Sequence, residues 1–314
     1  MVSLFEKLVD EATLFNAWTA IKAKDSAGGI DKMSIAEFDK DAVGHIALLS
    51  AKLTEGKWSP LPYLSVHVKK EKSPEEMRNI GLTTIADKIV QKSIVYLINP
   101  LLESVFVGNS YGYRPGKGAL KAIRRTIWEC QNNRNAVALR IDIDNFFDSI
   151  EHDIIYEKLS ALIDDVEIVR LILLCFQIGK VDSDKMSWSD SNLGTAQGSP
   201  LSPVVSNLYL NDFDKFAVSL CSSYVRYADD ILFLCDSRWH AESLLKKVEI
   251  YLSENLHLSL NNTKTITSVN DGFDFLGIRI ANSKAILSEE KRDNLRNTLL
   301  QLVLKKADSL KKAI

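Results

Sequence analysis

Apolar residues recur at helical spacing through residues 1–55, broken once by the glycine-bearing loop KAKDSAGGIDK. After that loop, SIAEF has the form of a helix start, with Ser34 and Glu37 spaced to cap each other's backbone groups. Leu64, Val66 and Val68 then alternate with Ser65, His67 and Lys69, which is the period of a strand. Glu71 to Met77 reads as a turn into a second strand at Arg78–Leu82, so a hairpin is predicted here. Helical spacing returns from Ile85 to Phe106 and again from Ala119 to Gln131, around a Gly- and Pro-bearing loop at Asn109–Gly118. Val137, Leu139, Ile141 and Ile143 alternate with Ala138, Arg140, Asp142 and Asp144, which puts Asp142 on the strand face opposite the aliphatic set. Farther on, helices are predicted over 152–178, Ser202–Phe216 and Ala241–Glu254, a β-hairpin over Tyr224–Cys235, and a strand pair over Phe273–Ile280. Ser288–Ile314 reads as one amphipathic helix. Helices mixed with antiparallel strands in this way indicate an α+β fold.

With 46% hydrophobic and 25% charged residues, the 314-residue chain has the balance of a globular protein of two or three packed subdomains. It holds no apolar run of about 18 residues, and acids interrupt the apolar N-terminus, so a cytoplasmic protein without a membrane span is expected. A net charge of −2 argues against a protein that coats nucleic acid over its whole surface. The basic residues nevertheless cluster, at Lys69, Lys70, Lys72 and Arg78, at Lys117, Lys121, Arg124 and Arg125, and near the end at Lys305, Lys306, Lys311 and Lys312. The last of these reads best as a solvated helix face. Cys130, Cys175, Cys221 and Cys235 have no metal-ligand spacing and are expected to be buried, reduced thiols. The histidines show no paired spacing either.

Three acids stand out by their setting, Asp142 in RIDIDNFFDSI and the pair Asp229–Asp230 in YVRYADDILFL. An Asp-Asp pair between strand formers is, by itself, also what a hairpin turn looks like. Carboxylates gathered from two strands repel unless cations neutralise them, and an all-oxygen donor set suits Mg²⁺ better than zinc or copper. Two such ions about 3.5–4 Å apart activate an attacking hydroxyl and stabilise a leaving oxygen in phosphoryl transfer.

Eight blocks together resemble the group II intron-like bacterial reverse transcriptases. KDSAGGIDKMSIAEF is similar to that lineage's N-terminal extension, RNIGLTTIADKIVQKSI to its fingers motif and NSYGYRPGKGALKAI to the block that follows. RIDIDNFFDSI resembles polymerase motif A, GTAQGSPLSPVVSNLYL motif B, YADD motif C, LHLSLNNTKT motif D and FDFLGIRI the primer grip. The resemblance implies a right-hand polymerase fold: N-terminal extension and fingers over 1–135, a palm over 136–280 with a helical fingers part inserted around 152–190, and the start of a thumb over 281–314. It implies an RNA-directed DNA polymerase that uses two Mg²⁺ ions, for which Mn²⁺ can substitute, and acts on an RNA template, a DNA primer and dNTPs.

Carried over by position, Asp142 and Asp229 would ligate both metals with help from the Ile143 carbonyl, and Asp230 would be a weaker partner. Phe147 matches the aromatic gate that leaves no room for a ribose 2′-hydroxyl. Gln197 and Gly198 match the motif B pair at the nucleotide and template. Arg78 and Lys70 match the triphosphate clamp, with Lys69 an alternative to Lys70. Lys264 matches a candidate acid for pyrophosphate, Arg114 would brace the template side, and Ala228 would leave space for the primer end.

The chain departs from the group II pattern in motif B, where QGSPLSP replaces the expected QGG, and the NAxxH and VTG signatures of retron enzymes do not occur. The expected setting is therefore CRISPR spacer acquisition from RNA, with a Cas1/Cas2-type integrase as partner, or anti-phage defence. The alternatives are a fragment of a group II intron maturase or retrotransposition enzyme, a template-independent DNA polymerase, an RNA-templated RNA polymerase, and a non-catalytic scaffold.

Overall fold

In a computed structural model of the chain, the described residues are 2–70, 73–132, 136–184, 187–189, 193–281 and 284–287, together with 292, 293 and 296. The chain opens with helices α1 (Leu4–Val9), α2 (Glu11–Lys22), α3 (Ile35–Asp39) and α4 (Ala42–Thr54). The expected capping box is present at α3: Glu37 N–H donates to Ser34 Oγ at 3.2 Å and Ser34 N–H to the Glu37 carboxylate at 2.8 Å. Strands β1 (Tyr63–Lys70) and β2 (Ser73–Leu82) form the predicted hairpin, but residues 73–77, expected in the turn, belong to β2, where Met77 pairs with Lys69. The hairpin's burial does not follow the apolar alternation, because Ser65 is buried while Val68 is 44% exposed. Period 2 located this strand but not its inward face.

Helix α5 (Ile85–Val105) is buried along most of its length, and α6 (Ala119–Asn132) follows the loop at 109–118. Strand β3 (Val137–Asp142) leads into a 3₁₀ turn at Phe146–Asp148 and then α7 (His152–Ser160) and α8 (Val166–Gln177). Residues 152–178 thus form two helices, because Asp165 accepts the Ile168 N–H at 3.3 Å and starts a new one. Short strands β4 (Lys180–Asp182) and β5 (Trp188–Ser189) extend the first hairpin into a sheet of order β2-β1-β4-β5. The segment from Ser202 likewise divides, into α9 (Ser202–Tyr209) and α10 (Asn211–Leu220), interrupted at Leu210.

The predicted second hairpin is β6 (Tyr224–Tyr227) and β7 (Asp230–Cys235), followed by α11 (Arg238–Leu256), β8 (Thr265–Ser268), β9 (Phe273–Phe275), β10 (Ile278–Ala281) and β11 (Lys284–Leu287). A second sheet has the order β6-β7-β3-β8, and a third the order β11-β10-β9. The second sheet separates two apolar clusters. Leu139, Ile141, Ile231 and Phe233 face the larger one with the helices, while Ala138, Leu232 and Leu234 face a smaller one with Phe273, Phe275 and Ile280. Ala138, Leu139 and Ile141 of β3 are buried between these clusters, while Arg140 and Asp142 are partly open to solvent. The amphipathic helix read over 288–314 lies outside the described residues. All four cysteines are buried, as expected.

Candidate active site

Register builds the site. β6 turns into β7 at Ala228 and Asp229, Tyr227 pairs with Asp230, and Asp230 in turn pairs with Asp142 across β7 and β3. Directly opposed residues of antiparallel strands send their side chains to one face, so two carboxylates stand side by side next to a third in the turn. Burial, then the negative charges of Asp229 and Asp230, push the Asp142 carboxyl up to about 6, against the pull of Arg140 and Asn261. Beyond Asp142, the chain pairs with the segment after α11: Asn261 N–H donates to the Asp142 carbonyl at 2.8 Å and Ile143 bridges to Leu260. Arg140, two residues before Asp142 on the same strand face, grips Asp230 with two donors, Nε at 2.9 Å and Nη2 at 3.2 Å. Three carboxylates against one guanidinium leave negative charge in excess, and an all-oxygen site of that kind suits a hard divalent cation.

The hairpin bearing these acids is braced from inside the protein. Arg226, 1% exposed, makes a two-armed pair with Asp214 of α10 at 2.6 and 2.5 Å. It also donates to Asn207 Oδ1 of α9 at 3.0 Å and to the Ala228 carbonyl at 2.9 Å. Tyr224 O–H donates to the same Asp214 at 2.6 Å. On the outer side, Tyr111 N–H donates to the Arg226 carbonyl and Arg226 N–H to the Asn109 carbonyl, while Asn207 Nδ2 donates to the Gly112 carbonyl at 2.8 Å. Gly112 lies so close that a Cβ there would come within 2.5 Å of the Ala228 nitrogen. Ala228 itself takes a left-handed backbone at φ 57° and is buried. None of Arg140, Asn207, Asp214 or Arg226 was singled out from sequence. The available signal was a charged residue inside an apolar strand, as in ALRID and YVRY.

A cleft of about 860 Å³ adjoins the site, with Phe147, Gln197, Gly198, Tyr113 and Arg114 among its walls and Lys24, Lys88 and Lys92 on its helical side. Phe147 meets Tyr113 edge-on at 6.5 Å, and Tyr113 meets Tyr227 at 6.2 Å, so aromatic rings connect the 3₁₀ turn to the hairpin. Thr195 N–H donates to the Phe147 carbonyl at 2.8 Å and Gly81 N–H to the Gln197 carbonyl at 2.7 Å. The loop at 194–199 is thereby tied at once to the 3₁₀ turn and to the end of β2. Gly198 has φ 129°, and a Cβ there would come within 2.5 Å of the Gly81 carbonyl oxygen.

Other residues singled out from sequence sit differently. The Arg114 guanidinium, 5% exposed, binds Glu103 at 2.8 Å and donates to the Val107 and Ser110 carbonyls at 2.6 and 2.9 Å, bracing the loop that carries Tyr113. Lys264 is exposed and paired with Glu249 of α11. Arg78 lies opposite Val68 in the first hairpin, and a register shift falls between Lys69 and Lys70. The side chains of Lys69, Lys70 and Arg78 are outside the described residues. At that first sheet, His67 of β1, Asp182 of β4 and Asp184 just beyond it place potential ligand atoms within 4.8 Å of one another.

A sheet that presents acids from a strand end and a hairpin turn beside an aromatic-walled cleft is the palm of a right-hand nucleic-acid polymerase. The chain belongs to the reverse transcriptase (RNA-dependent DNA polymerase) family, whose profile matches residues 68–280. Protein YkfC of Escherichia coli (strain K12) is 25% identical over 324 residues, covering 88% of this chain and 84% of that one. The group II intron-encoded protein LtrA of Lactococcus lactis subsp. cremoris is 29% identical over 181 residues, 55% of this chain but only 28% of LtrA. The solved structure of apo telomerase from Candida tropicalis, truncated from its C-terminal domain, superposes with a TM-score of 0.53 at 9% identity, over 84% of this chain and 63% of that one. That likeness is one of fold. Among the described residues, no helix is long and apolar enough to cross a membrane.

Proposed function

We propose that the protein extends a DNA primer on an RNA template by two-metal transfer of nucleotides from dNTPs. The observation that carries this reading is the placement of Asp142 opposite Asp230, with Asp229 beside them in the turn between β6 and β7. Asp142 and Asp229 would hold two Mg²⁺ ions, with the Ile143 carbonyl as a further ligand and Asp230 beside them. Such ions, when bound, lower the pKa of a primer 3′-hydroxyl and stabilise the leaving pyrophosphate.

The chain's own residues position the rest. The Phe147 ring lies under the incoming sugar and excludes a 2′-hydroxyl, while Gln197 and Gly198 border the nascent base pair. Buried Ala228 leaves room for the primer end, and Arg78 with Lys70 clamps the triphosphate, a planar fork beside a point charge. Arg114 acts by fixing the loop that brings Tyr113 against Phe147. Lys264 must leave Glu249 before it can donate a proton to pyrophosphate.

The setting we propose is cytoplasmic, in spacer acquisition from RNA or in anti-phage defence, with a Cas1/Cas2-type integrase as partner. It rests on QGSPLSP in motif B and on the lack of retron signatures. Co-elution of the tagged protein with such an integrase from its native cells is expected, and elution of the polymerase without one removes that partner.

Primer extension tests the activity. The wild-type protein is expected to extend a DNA primer on RNA with Mg²⁺ and dNTPs, and Asp229→Ala to abolish extension while keeping its circular dichroism spectrum. Extension by Asp229→Ala refutes the metal assignment. Equal extension without template, or with rNTPs, makes the protein a terminal transferase or an RNA polymerase instead.

A further inference from the structure

We propose that Arg140 is a positioning residue that holds Asp230 out of the metal-binding set, leaving Asp142 and Asp229 to bind the ions. The proposal rests on the two-metal reading of the site.

Asp230 stands opposite Asp142, while Arg140 stands opposite Leu232 on β7 and Thr265 on β8. Residues two apart on β3 share a face, so the guanidinium reaches diagonally across the ladder to Asp230. The contact is planar and two-pronged, with Nε at 2.9 Å from Oδ1 and Nη2 at 3.2 Å from Oδ2. A planar fork of this shape holds both carboxylate oxygens in one fixed orientation, where an ammonium is a point charge free to rotate about them. The pair is partly shielded, the Asp230 side chain being 15% exposed and that of Arg140 38%. Shielding strengthens a charge-assisted pair and fixes its geometry.

The consequence is a division of labour within YADD. Asp230 is paired with Arg140, and the site offers Asp142 and Asp229 to the ions. Released from Arg140, Asp230 would compete for the ions and bind them tightly in an unproductive arrangement. Arg140 thus trades metal affinity for correct placement.

The test compares Arg140→Gln, Arg140→Lys, Asp230→Asn and the double variant Arg140→Gln/Asp230→Asn. Mn²⁺ binding is followed by electron paramagnetic resonance without nucleic acid, and primer extension is measured in parallel. Arg140→Gln is expected to bind Mn²⁺ roughly tenfold more tightly while its extension rate at saturating dNTP falls about tenfold with little change in KM. Arg140→Lys should lie between it and the wild type. In the Asp230→Asn background the Mn²⁺ gain from Arg140→Gln should shrink below about threefold, because the carboxylate it releases is no longer there. Unchanged Mn²⁺ affinity in Arg140→Gln, or strictly additive effects in the double variant, overturns the proposal. If no variant extends primers and neither does the wild type, the polymerase reading fails while the Mn²⁺ comparison still decides the role of Arg140.

Discussion

Two arginines in otherwise apolar strands serve the same hairpin from opposite sides. Arg226 is sealed, and its partner Asp214 is fully buried, so removing either one strands the other's charge away from water. Arg226→Met or Asp214→Asn should therefore cost about 3–5 kcal/mol, measured by urea unfolding. A doubly apolar replacement should recover much of that loss. Arg140 sits half in solvent, and its loss should register in metal placement more than in stability. Phe147 belongs to a third kind, a ring walled in by Phe146 and Tyr113 with one edge on the cleft. Phe147→Ala should lower the preference for dNTP over rNTP, read as a ratio of kcat/KM, on the order of 10–100-fold. An unchanged ratio removes its gate role.

Among the elements, the turn between β6 and β7 is held against the 109–112 loop as closely as backbones allow. Gly112→Ala should push Ala228 aside, and because a shift of about 1 Å can cost on the order of 100-fold in rate, extension should suffer far more than the melting temperature. Helix α5 carries a different signature in its first turn. Asp87 is 3% exposed, and burial pushes its carboxyl up to about 6 despite hydrogen bonds from Thr84 and Leu61. A carboxyl whose pKa is raised by folding favours the folded state while protonated, and that contribution is lost as pH rises from about 4 through about 6. Wild-type stability should thus fall relative to Asp87→Asn over this window, by at most about 3 kcal/mol, in paired denaturation curves. Elements with long apolar periods, such as α5, β3 and the β6–β7 hairpin, could be read from the chain because burial imposes the pattern. β4, β5 and β8 could not, being two to four residues long and defined only by the strands they join. Nor could the Arg226–Asp214 and Arg140–Asp230 pairs, since each joins segments whose approach only the folded sheet determines.

At the scale of the whole molecule, motif blocks distant in sequence become one mechanical unit. The 3₁₀ turn with Phe147 and the end of β2 are both hydrogen-bonded to the loop with Gln197, which links them. The order of the blocks made the polymerase class readable from sequence, and the register of β3 with β7 explains why Asp142 and the YADD acids belong together. The cluster of His67, Asp182 and Asp184 at the first sheet is the rival location for a cation. Anomalous scattering from Mn²⁺ in crystals of the protein with an RNA/DNA hybrid and a non-hydrolysable dNTP tests the central claim most directly. Two ions about 3.5–4 Å apart between Asp142 and Asp229 are expected, and Mn²⁺ bound only at His67, Asp182 and Asp184 would contradict it.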